Sequence, residues 1–96
     1  MSKAPEAKVK DEIKRGLESL DIFYFMPVQT GYGKRSVDFL CVIPPSGRSL
    51  YIEAKVPRGR LTALQSQCLT NNENAGGISV VAMSWQDVLD AIRQAS

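Results

Sequence analysis

Along the first stretch of the chain the apolar residues Val9, Ile13, Leu17 and Leu20 recur every three or four positions, with lysine, arginine and glutamate between them. That period is one face of a helix and predicts a first amphipathic helix over residues 5–20. Residues 22–28 are apolar and aromatic enough for a strand, but Pro27 lacks an amide donor and argues for an edge position or an early end. Residues 29–35 set Gly31 and Gly33 around Tyr32, followed by Lys34 and Arg35. This reads as a glycine-containing turn or bulge, a mobile basic loop. Two β-rich runs, 36–43 and 49–56, are separated by Pro44-Pro45-Ser46-Gly47-Arg48, which favours a reversal and predicts a hairpin.

After Pro57-Arg58-Gly59-Arg60 a second helix is expected to begin at Thr62, whose hydroxyl caps the amide of Gln65 while the Gln65 side chain reaches back. It should end near Gly76-Gly77. Residues 78–83 form a short apolar run of strand length, and Ser84-x-x-Asp87 opens a last helix carrying Val88, Leu89, Ile92 and Ala95. The order is αβββαβα. It suits an α/β fold in which a mixed β-sheet is flanked by helices.

The composition fits a folded globular chain, with 44% hydrophobic and 23% charged residues. A chain of 96 residues is expected to form a single domain over residues 1–96, since neither half would bury enough apolar surface alone. Its longest apolar runs fall far short of the roughly 20 residues a membrane helix needs. With no secretory segment at the N-terminus, a cytoplasmic protein without membrane association is the expectation. Cys41 and Cys68 lie in apolar-patterned segments and are read as reduced core residues. The sequence contains no histidine, which makes a structural zinc site a poor fit and removes the Ser-His and Cys-His nucleophile pairs. Carboxylates, lysine and metal ions are left to carry any chemistry. The net charge of +2 is too mild to announce a nucleic-acid partner by itself.

Side chains alternate across a strand, so Leu50, Ile52, Ala54 and Val56 share one face while Tyr51, Glu53 and Lys55 share the other. Glu53 and Lys55 are then same-face neighbours about 7 Å apart along the strand. On the partner strand Asp38 shares its face with Leu40 and Val42, and a carboxylate in such apolar company is costly to bury unpaired. Acidic residues on two adjacent strands, with a lysine beside one of them, supply oxygen ligands for Mg²⁺ and a cation for a phosphate or an attacking water. A cross-strand ion pair explains the same three residues without any chemistry.

The whole ordered string resembles the virus-type replication-repair nuclease (VRR-NUC) domain of the PD-(D/E)xK nuclease superfamily. The resemblance is carried by Pro5-Glu6-Ala7-Lys8-Val9 in the first helix, Gly33 to Val37 followed by Asp38-Phe39-Leu40, and Gly47. It continues through Tyr51-Ile52-Glu53-Ala54-Lys55 and Gly59-Arg60-Leu61-Thr62-Ala63-Leu64-Gln65. One departure is visible: many members have Gly-x-Pro-Asp where this chain has Gly33-Lys34-Arg35-Ser36-Val37-Asp38, a longer step without proline.

The resemblance implies a small restriction-endonuclease-like core and a Mg²⁺-dependent deoxyribonuclease, with Mn²⁺ able to substitute and no small-molecule organic cofactor. Asp38 and Glu53 would be metal ligands, the Ala54 carbonyl a third oxygen, and Lys55 the group that positions or activates water. Glu6 would join the metal shell directly or through water, although an acidic residue in a first helical turn also suits the helix dipole. Gln65 matches the family's active-site glutamine, while the capping box explains it locally. Lys34, Arg35, Arg58 and Arg60 flank these positions and would meet DNA phosphates. Tyr32 would stack on a base or brace its loop, and Trp85 is read as a packing anchor.

Small stand-alone members resemble Holliday-junction resolvases, which implies branched DNA as substrate and a homodimer in which two centres cut paired strands. A phage or bacterial source follows from the family alone. Two other readings stay open. One is a catalytically silent DNA-binding or assembly module in which the charged cluster is structural. The other is a sequence-specific endonuclease, for which the chain has little room to build a base-reading element.

Overall fold

The computed structural model describes residues 5–28 and 37–95. In chain order the elements are α1 (Pro5–Ser19), β1 (Phe23–Phe25), β2 (Phe39–Ile43), β3 (Arg48–Ala54), α2 (Ala63–Asn74), β4 (Ile78–Ala82) and α3 (Trp85–Gln94). The four strands form one sheet in the order β1-β2-β3-β4. β1 and β3 each pair antiparallel with β2, and β4 runs parallel to β3. This is the expected αβββαβα order on a mixed sheet.

Alternation along the strands decides what each sheet face can receive. Phe39 and Cys41 of β2, Leu50, Ile52 and Ala54 of β3, and Ile78 and Ala82 of β4 are all buried on one face. Ile13 and Leu17 of α1 and Val88 of α3 close over them, each fully buried. Burying a side chain of this size removes enough apolar area to contribute about 1.5–3 kcal/mol, so this layer holds the fold together. Gly16 of α1 faces the Trp85 ring, which occupies the space a Cβ there would need. Trp85 is thus the packing anchor its sequence position suggests, and its amide also donates to Glu12 Oε2 at 2.6 Å.

α2 covers the other face, and it docks through polar groups. Asn72 Nδ2 donates to the Ile78 carbonyl at 2.8 Å and to Ser79 Oγ at 3.0 Å. Its Oδ1 accepts from Ser49 Oγ at 2.5 Å. These bonds satisfy buried polar atoms that would otherwise be costly. Arg48, at the start of β3, closes two helix ends by donating from Nε to the Gly76 carbonyl and from Nη1 to the Ala95 carbonyl, both at 2.9 Å.

The local signals fare unevenly. Thr62 and Gln65 form the full reciprocal capping box. At α3 only half of the expected box forms: Ser84 Oγ accepts from the Asp87 amide, but the Asp87 carboxylate accepts from the amide of Met83, one residue further back. The first strand is shorter than the apolar run 22–28, spanning three residues. Cys41 is buried and Cys68 half-buried, both as free thiols. Among the described residues no helix is long and apolar enough to cross a membrane.

Candidate active site

Extending the β2–β3 register one pair beyond Phe39↔Ile52 brings Asp38 opposite Glu53. Two hydrogen bonds lock the pair. The Asp38 amide donates to Glu53 Oε1 at 3.1 Å, and the Ala54 amide donates to Asp38 Oδ2 at 2.9 Å. Each carboxylate is therefore held by a backbone amide from across the β2–β3 pairing.

Glu53 is almost completely buried at 2% exposure. Its Oε2 accepts from Gln65 Nε2 at 3.0 Å and meets Lys55 Nζ at 3.2 Å. Gln65 makes two contacts at once: its Oε1 accepts from the Thr62 amide in the capping box, and its Nε2 donates to the buried Glu53 carboxylate. The Lys55 aliphatic stem is carried over Gly59, where an added Cβ would come 3.2 Å from Lys55 Cδ. The Lys55 partner is thus Glu53 two residues away on its own strand, rather than a residue across the sheet.

The electrostatics follow from this burial. The Glu53 carboxyl is pushed up to about 7, first by desolvation and then by the neighbouring Asp38 charge, against the hydrogen bond and charge of Lys55 and the Asp38 amide. Two carboxylates this close favour a cation between them. The available donors are hard oxygens: Asp38 and Glu53, and the Ala54 carbonyl, which leaves the strand on the same side as the amide donated to Asp38. Among the described residues no group of three or more histidine, cysteine or acidic side chains is gathered as a metal cage. A pair of carboxylates with one backbone oxygen still fits Mg²⁺, which commonly keeps several waters and binds through one or two carboxylates.

The other expected site residues divide. Glu6 lies in the first turn of α1 and pairs with Lys10 Nζ at 3.9 Å. Lys10 Nζ in turn sits 3.3 Å from Asp38 Oδ1, so Glu6 is joined to the carboxylate pair through this lysine. The sequence reading of α1 gives Lys10 no role; the signal for it is its i, i+4 spacing from Glu6. Arg58 and Arg60 are exposed in the loop after β3. Arg58 takes a left-handed conformation, φ 71°, in a turn closed by the Gly59 amide on the Val56 carbonyl at 2.9 Å. Lys34, Arg35 and Tyr32 lie outside the described residues.

The fold is similar to that of a solved structure described as a VRR_NUC domain. The two superpose with a TM-score of 0.75 over 95% of this chain and 97% of that one, at 20% sequence identity. No protein-family model matches the sequence, and no curated protein is similar to it in sequence. At this identity the likeness is one of fold. It bears out the VRR-NUC resemblance and the small α/β architecture at that level.

Proposed function

We propose that the chain is a Mg²⁺-dependent deoxyribonuclease that hydrolyses phosphodiester bonds in branched DNA, with Mn²⁺ able to replace Mg²⁺. The observation that carries this reading is the interlocked Asp38–Glu53 pair with Lys55 Nζ and Gln65 Nε2 both on Glu53 Oε2. A structural reading pairs Glu53 with Lys55 and Asp38 with Lys10, but it gives no reason to bury Glu53 to 2% exposure beside a second carboxylate, a costly arrangement.

In this reading Asp38, Glu53 and the Ala54 carbonyl hold the metal ion. When bound, the ion supplies positive charge beside the scissile phosphate and acidifies water. Lys55 orients the attacking water and offsets charge building on the phosphate. Gln65 keeps Glu53 turned toward the centre by occupying one lone pair of Oε2. Glu6 contributes through its pairing with Lys10, and Arg58 and Arg60, with Lys34 and Arg35, contact phosphates on either side of the cut.

A homodimer belongs to the same reading. Phe23 and Phe25 of β1 stand opposite Val42 and Leu40 of β2, on the sheet face shared with Asp38 and Glu53. Phe23 is 71% and Phe25 56% exposed, an apolar strip suited to a second copy, and a two-fold enzyme can cut paired strands of a junction symmetrically.

The test is cleavage of a labelled four-way junction beside linear duplex of the same sequence, in Mg²⁺, in Mn²⁺ and with chelator. Paired nicks at the junction, dependent on metal and lost in Glu53→Ala, are the expected result. Equal cutting of both DNAs would remove the branched-substrate assignment, and no cutting of either would remove the nuclease assignment.

A further inference from the structure

Lys10 and Lys55 each face one of the two carboxylates of the centre. Lys55 Nζ is 3.2 Å from Glu53 Oε2, and Lys10 Nζ is 3.3 Å from Asp38 Oδ1. Asp38 Oδ2 is tied to the Ala54 amide at 2.9 Å, so the carboxylate cannot turn freely. Oδ1 is the oxygen left to face a cation, and it is the one that Lys10 occupies.

We infer that Lys10 is a positioning residue that holds Asp38 and competes with a divalent ion for Asp38 Oδ1, thereby setting how much metal the centre requires. The inference rests on the reading of Asp38 as a metal ligand. A doubly charged ion added beside both lysines would leave the cluster with a net positive excess in a partly desolvated site, so one of them must withdraw. Lys55 is the more enclosed of the two, its side chain 14% exposed against 32% for Lys10. Lys10 also has somewhere to go. Glu6 lies one turn back on α1 at 3.9 Å, and its side chain is 44% exposed, so the ammonium can pass from Asp38 to Glu6 by side-chain rotation alone. α1 need not move, which matters because Ile13 and Leu17 fix it in the core with no exposure.

Competition of this kind has a signature that a merely structural lysine lacks: removing the charge weakens the metal-free state and tightens metal binding. The experiment is isothermal titration of Mn²⁺ into DNA-free protein, comparing wild type with Lys10→Gln, Lys10→Met, Lys10→Arg and Lys8→Gln. Lys8 is exposed on α1 and serves as the control for loss of one positive charge. Lys10→Gln and Lys10→Met should each bind Mn²⁺ about three- to tenfold more tightly than wild type, the range set by displacing a partly exposed ion pair next to a divalent ion. Lys10→Arg should restore wild-type affinity, and Lys8→Gln should stay within about twofold of it. Lys10 variants that fold and bind Mn²⁺ no more tightly than wild type would overturn the inference while leaving the metal centre intact, as would equal tightening in Lys8→Gln. Absence of Mn²⁺ binding by the wild type would overturn the metal centre itself, and this inference with it.

Discussion

Glu53 is the residue whose chemistry depends most on its surroundings. Its carboxyl is raised from 4.5 to about 7 by burial and by Asp38, so between those values the folded, metal-free protein holds a proton that the unfolded chain has released. Stability therefore falls as pH rises through that window, the reverse of the usual carboxylate case. Thermal unfolding of the metal-free protein should show a lower Tm at about pH 7.5 than at about pH 5, and Glu53→Gln should flatten that slope. Metal affinity should run the other way, rising toward neutrality as Glu53 ionises. Arg58 gives a second residue-scale prediction. A non-glycine residue at φ 71° after Pro57 takes a position that normally favours glycine or asparagine, at a cost of about 1–2 kcal/mol. Arg58→Gly should stabilise the fold in urea denaturation by up to about that amount and weaken DNA binding if the guanidinium contacts phosphate. Asp38, Glu53, Lys55 and Gln65 were legible because strand alternation and a capping box fix their direction locally. Lys10 was not, since a lysine among other helix lysines gains meaning only when the sheet brings Asp38 beside it.

The elements were legible wherever a period or a cap was strong. The apolar spacing of α1 and the Thr62–Gln65 box gave helices close to those observed, and the prolines and glycine of residues 44–47 gave the β2–β3 reversal. The polar docking of α2 was not visible, because Asn72 reads as an ordinary helix-end asparagine until Ser49 and Ser79 stand opposite it. The α1–α3 contact sets Gly16 under the Trp85 indole and the Trp85 amide on Glu12 Oε2; Trp85 reads as a packing anchor in the sequence, but its partners on α1 do not. Gly16→Ala should cost about 1–3 kcal/mol by overpacking against Trp85, measured by urea denaturation, even though alanine is the better helix former. The same change made in a Trp85→Leu background should cost less, because the smaller side chain frees the space.

At the scale of the whole molecule, a layer of apolar packing under α1 and α3 carries the fold, and the opposite face carries the charged centre with an uncovered apolar strip beside it. That division lets the chain share an architecture with a VRR_NUC domain at 20% identity, since many apolar residues can fill the packed layer. Phe25→Glu should halve the molecular mass measured by light scattering if the strip joins two copies, without loss of cooperative unfolding, because Phe25 is 56% exposed. The central claim, that the charged centre cuts DNA, is tested most directly by product release from labelled DNA with wild type and Lys55→Met, each first shown to unfold cooperatively. Metal-dependent cutting by the wild type, stopped by chelator and reduced at least about a hundredfold in Lys55→Met, is the predicted result. No cutting by the wild type on branched or linear DNA in either metal, or an undiminished rate in the variant, would contradict it.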